Sequence, residues 1–463
     1  MNILREGDKN AEKLIRQKSP RLDAEYRLSL YAWPFLEDGR HALLHTMTGE
    51  ALELTASEWA DVLSFQAAPQ SYETIERKGL TELAGKRYIV ETDYDEAHAY
   101  AQALFLLKTA KGRKKGLSGY TILPTTGCNA RCVYCYEEGM PVQTMTEATA
   151  DRLIDYICEK KGDDPVRLHW FGGEPLVAAN IIRRVCAGLA ERGVDFSSSM
   201  ITNASLLTRE LAREAKELWH LKNVQVSLDG AREDYALRKR YVQPDKHNYD
   251  AVMRAIGYFA DEDIRVSLRV NVDMENLPRI EGFLDEMGAL FGEQKNVTLY
   301  LRALYQEQGG ANYAPLQEAI SSLRCKIRDL RLGSSFKSAK KAGMRLNYCM
   351  ADNMDGSVII MPDGKFHRCE HLPEGESWGD IFNGVTDPAL YEALRKPYAI
   401  DPDCAKCPFL PRCTPFKRRG CPNWFEQCSV EMRLEEEDYL RELLRGAVTE
   451  AEADDEDDDD RLL

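Results

Sequence analysis

The sequence predicts an α/β protein built on a parallel sheet, preceded by a small α+β unit and followed by a loop-rich, cysteine-rich region. Three observations carry this. From residue 118, six strand candidates alternate with amphipathic segments. Residues 22–92 read as short strands followed by helices. Beyond about residue 345 the periodicity fades into sequence rich in Cys, Pro, Gly and Arg. A chain of 463 residues suits two or three such units.

In the first unit, YRLSLYAWPF, RHALLHTM and ALEL read as strands, with EDGR and TGE as turns. TASEWADVLSF reads as a helix capped by Thr55, with Glu58 three residues on completing a capping box. A short helix near YETIERKGL and an extended GKRYIVE follow. DEAHAYAQALFLLKTAKG is a helical connector that ends in basic residues and Gly112.

The strand candidates of the second unit are YTILP (120–124), VRLHWF (166–171), SSMIT (198–202), VQVSL (224–228), RVSLRVNV (265–272) and VTLYLRA (297–303). Between the first two, Ala150, Leu153, Ile154, Ile157 and Cys158 share one helical face, and Thr144 and Glu147 are spaced as a capping box before it. Six strand–helix units form either an open barrel or a doubly wound sheet. In both, chemistry belongs at the C-terminal ends of the strands.

Composition excludes several classes. Hydrophobic residues are 44% and charged ones 30%, as in ordinary globular proteins. The N-terminal stretch has no apolar core to act as a secretory signal, and no run of eighteen apolar residues predicts a membrane span. A cytoplasmic location is expected, and there thirteen cysteines point to metal rather than disulfides. The net charge of −15 argues against nucleic acid as a partner. The tail AEADDEDDDD reads as a solvated, disordered end.

The stretch CNARCVYCYEEG carries the most specific chemistry. Cys128, Cys132 and Cys135 lie in one loop directly after the first strand of the alternating series. A structural zinc site wants four ligands in two pairs. Three thiolates suit three irons of a cubane cluster whose fourth iron stays open. Polar groups recur at the ends of the next strands: Gly172, Gly173, Glu174 and Pro175 after the second, Thr202 and Asn203 after the third, Ser227 and Asp229 at the fourth, and Arg269 and Asn271 on the fifth.

The CxxxCxxC loop, the GGEP and the SLDG resemble the radical S-adenosylmethionine (SAM) superfamily over about residues 118–335. The resemblance implies a partial (β/α)6 TIM barrel in which Cys128, Cys132 and Cys135 bind a [4Fe–4S] cluster. Its open iron would chelate the amino and carboxylate groups of SAM, and an electron from the cluster would release a 5′-deoxyadenosyl radical. It further implies Tyr134 and Leu304 at the adenine, Gly173 and Glu174 at the amino group, and Ser227 at the ribose or carboxylate. Gly172, Thr202, Asn203 and Arg269 complete the cofactor set. Lys239 stands twelve residues after the SLDG serine, where relatives often carry arginine. A low-potential electron donor such as ferredoxin or flavodoxin is implied as a partner.

The C-terminal cysteines resemble the SPASM extension of such enzymes. The run is Cys349, Gly364, Cys369, Cys404, Cys407, Cys413, Cys421 and Cys428; the Cys413–Cys421 gap is seven residues where the pattern has three. Two auxiliary iron–sulfur clusters of the [4Fe–4S] type are implied. Cys404, Cys407, Cys413 and Cys428 make a four-thiolate set. Cys349, Cys369 and Cys421 make three, completed by Cys325 or by a substrate cysteine. On their own residues, these cysteines also fit a zinc ribbon.

The N-terminal unit resembles the RiPP recognition element, a winged-helix module that captures leader peptides, and ALEL (51–54) is expected to offer the edge for an added strand. The expected domains are 1–92 for this module, 93–117 for the linker, 118–335 for the barrel, 336–447 for the SPASM region and 448–463 for the tail. The implied function is modification of a ribosomal precursor peptide, most simply by intramolecular Cys thioether formation. Carbon–carbon cross-linking or Cys/Ser oxidation are alternatives from the same chemistry. A non-enzymatic metal-binding protein that docks a peptide is the alternative of another class.

Other residues have plainer expectations. Cys158, Cys186 and Cys325 read as core, His169 as a satisfied core residue, and His367 and His371 as exposed loop histidines. Glu137 and Glu138 read as solvated, and Asp229 as either structural or in direct contact with a ligand.

Overall fold

The computed structural model of the chain describes residues 1–17, 19–111, 116–304, 311–333, 343–344, 346, 353–369, 377–395, 402–413 and 431–444. Its central element is a ten-stranded sheet. The six parallel strands β8 to β13, given below, run in sequence order across it.

The N-terminal unit differs in detail from the sequence expectation. Strands β1 (Asn2–Arg5), β3 (Ala32–Glu37), β4 (Arg40–His45) and β5 (Ala51–Leu54) make one sheet in the order β1-β5-β4-β3. Strands β2 (Glu25–Leu28), β6 (Gln70–Ser71) and β7 (Ile89–Glu91) make another, with β2 in the middle. YRLSLYAWPF is therefore two strands in two sheets. The chain breaks at Ser29 and Leu30, where the Ser29 hydroxyl and the Leu30 N–H both donate to the Glu96 carboxylate. ALEL is an interior strand, not an edge. One side pairs with β4 and the other with β1, so an added strand has no place there. The helix Ala56–Ala67 does begin at the Thr55–Glu58 capping box.

A buried histidine in this unit sets an acid limit. His45 is 1% exposed and packs edge-on against Tyr88. Burial lowers its pKa from the usual 6.5 to about 4. The unfolded chain takes up this proton first, so stability present above pH 6.5 is lost as pH falls toward 4. Between pH 6.5 and about pH 5 the loss is about 2 kcal/mol. Denaturant unfolding of His45→Gln against wild type should show a flatter acid limb, whereas parallel limbs would remove His45 as the cause.

In the barrel, β8 (Gly119–Ile122), β9 (Val166–Trp170), β10 (Phe196–Thr202), β11 (Leu221–Leu228), β12 (Arg265–Val272) and β13 (Val297–Ala303) pair in parallel with their neighbours. Alternation assigns the two faces. Val166, Leu168 and Trp170 join the helix-side core, while Arg167 and His169 turn to the concave side. The helix Glu147–Lys160 starts at Thr146, whose side chain accepts from the Thr149 N–H, rather than at Thr144. Thr144 is engaged elsewhere: its hydroxyl bonds that of Thr125 at 2.8 Å.

Beyond residue 345, the described residues include strands that the composition does not predict. β14 (Ser357–Ile360) pairs in parallel with β8, and β15 (Lys365–His367), β16 (Gly379–Asp380) and β17 (Gly384–Val385) continue outward in antiparallel fashion. This part of the expected SPASM region therefore extends the barrel sheet. The barrel stays open, with β13 at one edge and β17 at the other.

The C-terminal helix Glu431–Leu444 joins the ends of the chain. Tyr439, Leu440, Leu443 and Leu444 pack on Phe35, Ala42, Leu44 and Ala51 of the first sheet. Asp438 accepts from Ser321 and Arg324 of the barrel at 2.6 and 2.7 Å. Glu436 is buried between Arg5 and Arg412. The acidic tail 448–463 lies outside the described residues. No helix among the described residues is long and apolar enough to cross a membrane.

Candidate active site

The cysteine loop sits where the β8 chain leaves the sheet, and its neighbours hold it from three sides. Arg131 N–H donates to the carbonyls of Lys239 and Arg240, and Val133 N–H to that of Arg238. These carbonyls close the helix Arg232–Lys239. Asn129 links to the third strand end: the Asn203 amide donates to its side-chain oxygen at 2.9 Å, and its own amide donates to Ser205.

The two glycines of GGEP serve a close approach of backbone to backbone. A Cβ on Gly172 would stand 2.3 Å from the Thr125 carbonyl oxygen, and one on Gly173 would stand 2.5 Å from those of Thr126 and Gly127. Gly172 also has φ +117°, which favours glycine. The second-strand loop thus nests against the segment that leads into Cys128.

Glu174 is buried, and its carboxylate is already engaged. It accepts from Thr202 Oγ1 at 2.6 Å, Asn203 N at 2.7 Å and Leu176 N at 3.0 Å. Burial raises its pKa against these bonds. The expected amino-group ligand therefore braces two other expected site residues, which leaves it limited capacity for an ammonium group.

Tyr134, Asp229, Lys239 and Asn271 converge at the rim. The Tyr134 hydroxyl donates to Asp229 Oδ1 at 2.6 Å, Asn271 Nδ2 donates to the same oxygen at 3.0 Å, and Lys239 Nζ donates to the Tyr134 oxygen at 3.0 Å. Lys239 lies 3.5 Å from Asp229 Oδ2, and both are buried. Burial works against the Lys239 charge, but Asp229, Tyr134 and Cys132 outweigh it and hold the ammonium well above its usual pKa. Asp229 is thus the anchor of the rim. The sequence alone leaves its role open, although SLDG at a strand end is a signal for it. Asn129 was missed, since a lone Asn between two cysteines carries no pattern of its own.

Ser227 and Arg269 stand side by side on the concave face in the β11–β12 register, with Tyr300 next in the row. Leu304 is buried just past β13 and donates its N–H to the Val272 carbonyl.

The thiols themselves suit a metal cluster. Burial raises the Cys128 pKa to about 12, and it raises those of Cys132 and Cys135 as well; Cys132 and Cys135 also oppose ionisation of Cys128, and Cys132 that of Cys135. Half-buried thiols with raised pKa values are poor free nucleophiles but become thiolates when iron displaces the protons. Among the described residues, no group of three or more His, Cys, Asp or Glu converges on a single ion. A cubane does not need that, because its thiolates bind different irons.

The other expected ligands divide. Cys369, Cys404, Cys407 and Cys413 are half-buried. Cys349, Cys421, Cys428 and His371 lie outside the described residues. Cys325 is exposed on the helix Arg324–Asp329 instead of in the core, and His367 is buried in β15 instead of in an open loop. Cys186 is core as expected, and His169 bonds Ser199 at 3.0 Å.

Residues 122–287, which contain the cysteine loop and the rim, match the Radical SAM superfamily. The chain carries a radical SAM domain. Beyond it, the chain is 26% identical over 322 residues to the serine-type anaerobic sulfatase-maturating enzyme of Klebsiella aerogenes, covering 64% of this chain and 77% of that protein. It is 30% identical over 164 residues to the Fe-coproporphyrin III synthase of Methanosarcina barkeri, covering 35% of this chain. The chain spans 38% of the length of that synthase and 58% of an uncharacterised protein of Methanocaldococcus jannaschii, less than two thirds of either. In fold, the radical SAM domain and its extensions resemble the solved structure of native anSMEcpe with bound AdoMet. The TM-score is 0.54 at 16% identity, over 71% of this chain and 99% of that one. The expected partial barrel is thereby borne out as a fold.

Proposed function

We propose that this protein is a radical SAM enzyme that modifies a ribosomally made precursor peptide, most simply by joining a cysteine sulfur to a carbon of the same peptide. The observation that carries the reading is the half-buried three-thiol loop at the mouth of an open barrel, in a chain that also has an N-terminal sheet unit and a second cysteine loop. Cys128, Cys132 and Cys135 would hold a [4Fe–4S] cluster. Tyr134, Gly172, Gly173, Thr202, Asn203, Ser227, Lys239, Arg269 and Leu304 would contact SAM, with Glu174 bracing the rim. Bound there, cluster and SAM supply a hydrogen-abstracting 5′-deoxyadenosyl radical. The chain's own part is to orient the peptide and exclude water around that radical. Kinship to the sulfatase-maturating enzyme favours Cys or Ser oxidation as the second reading.

Two auxiliary clusters belong to this reading. The anaerobically reconstituted protein should contain about twelve iron atoms, as in three four-iron clusters. Iron for one cluster with stoichiometric zinc would make the C-terminal loops a zinc ribbon. Ferredoxin or flavodoxin would deliver the electron.

A leader peptide would add to a sheet edge of the N-terminal unit. With ALEL interior, the edges of the first sheet are β1 and β3. β3 is blunted, because Pro34 has no N–H and the Ala32 N–H already donates to the Ser29 carbonyl. The leader should therefore run along β1. Adding the precursor should slow amide exchange across residues 2–5; unchanged exchange there, with the peptide bound, would move the site. Deleting residues 1–92 is a poor test, since it would uncover Leu440, Leu443, Leu444 and Leu410.

A further inference from the structure

The N-terminal unit is seated on the second cysteine loop. Thr46 Oγ1 donates to the Pro408 carbonyl at 2.5 Å, and Trp33 stands edge-on to Phe409 with centroids 4.9 Å apart. Between these contacts, Tyr31, Met47, Tyr100 and Leu410 form one buried cluster, against which Cys404 packs. Arg412 of the same loop is held by Glu436 of the C-terminal helix. The loop is itself tightly turned: Cys407 N–H donates to the Cys404 carbonyl and Cys413 N–H to that of Phe409.

Tyr31 is the unusual member. It is 1% exposed, and its hydroxyl has no hydrogen-bond partner among the described residues. Its backbone is fixed at the start of β3, with N–H donating to Ser29 Oγ and carbonyl accepting from Thr46 N–H. The ring leans on Tyr100 at 6.4 Å. Burial first, and then the fields of Glu96, Tyr100 and Cys407, oppose its ionisation, so the group is a neutral O–H donor near the cysteine loop. Glu96 is already engaged by Ser29, Leu30 and Arg27. A buried hydroxyl left without an acceptor is costly, and native proteins rarely keep one without a bound group to receive it.

We propose that Tyr31 is a positioning residue for an auxiliary iron–sulfur cluster: its O–H donates to a sulfur of the cluster held by Cys404, Cys407 and Cys413, so that the N-terminal unit sets that cluster's reduction potential. The proposal rests on the reading of this loop as an iron–sulfur site. A donor aimed at sulfur favours the more negative, reduced state and raises the potential. Any shift of β3 on peptide binding would then reach the cluster through one hydroxyl. The competing acceptor is a water in the small cavity lined by Ser29, Tyr31, His45 and Glu96.

The test uses the full-length chain carrying Cys128, Cys132 and Cys135→Ala, so that only auxiliary clusters report. Iron content, an EPR-monitored redox titration and the coupling of solvent-exchangeable protons are measured with and without Tyr31→Phe. Iron should stay unchanged. At fixed potential, the oxidised-to-reduced ratio of one cluster should rise about tenfold, a fall of about 59 mV for a one-electron couple. One exchangeable proton coupling should vanish. Unchanged potential and coupling in an iron-replete variant would overturn the proposal and assign the hydroxyl to water. A different failure shows in the metal count: if Cys404→Ala removes zinc and no iron, the cluster reading falls and the proposal falls with it.

Discussion

Replacing Cys128, Cys132 and Cys135 together by Ala should abolish 5′-deoxyadenosine formation under a strong reductant while iron at the other sites remains. The effect is expected to be complete, because among the described residues no other thiol is near this rim: Cys158 and Cys186 lie on the helix side of the sheet, and Cys369 follows β15. The chain should still fold. The loop is pinned by backbone bonds to the helix Arg232–Lys239 and by Asn129, none of which uses a cysteine side chain. Circular dichroism and metal analysis of the variant check this. Residual SAM cleavage at the wild-type rate would remove the loop from the chemistry.

The largest stability effect should come from Glu436→Ala. Glu436 is 4% exposed and sits between Arg5 at 5% and Arg412 at 8%. Burial raises its pKa, but Arg412 and Arg5 outweigh that and keep the carboxylate ionised. Removing it strands two buried cations, which costs about 3–5 kcal/mol. Because Arg5 lies in β1 and Arg412 in the cysteine loop, the loss should also loosen the N-terminal unit from that loop. Denaturant unfolding measures the cost. Arg5→Met and Arg412→Leu added to Glu436→Met should recover most of it, since an apolar replacement leaves no charge unpaired. A Glu436→Ala protein as stable as wild type would show the triad to be solvated.

The six barrel strands were legible because strand and helix periods alternate strongly from 118 to 303, and β12 and β13 match their candidates end to end. The rim was legible for the same reason, since strand ends gather the polar residues. Short pieces were not. β1 has four residues, and β16 and β17 have two each, too few to show a period, yet they decide which edges stay open. Thr144 and Thr146 both precede a suitable partner, and only tertiary contact with Thr125 commits Thr144 elsewhere. The roles of Gly173 and Glu174 were only half legible. Their spacing marked the site, but pattern alone could not tell a ligand contact from a brace between loops.

Radical generation and peptide modification are both read by one assay. Anaerobically reconstituted protein is incubated with SAM, a low-potential reductant and a candidate precursor from a neighbouring reading frame, then analysed by mass spectrometry. The expected products are 5′-deoxyadenosine together with a peptide that has lost two hydrogen atoms per cross-link and whose cysteine no longer takes up an alkylating agent. An iron-loaded protein that binds the peptide but forms no 5′-deoxyadenosine and leaves the peptide mass unchanged would contradict the proposed function.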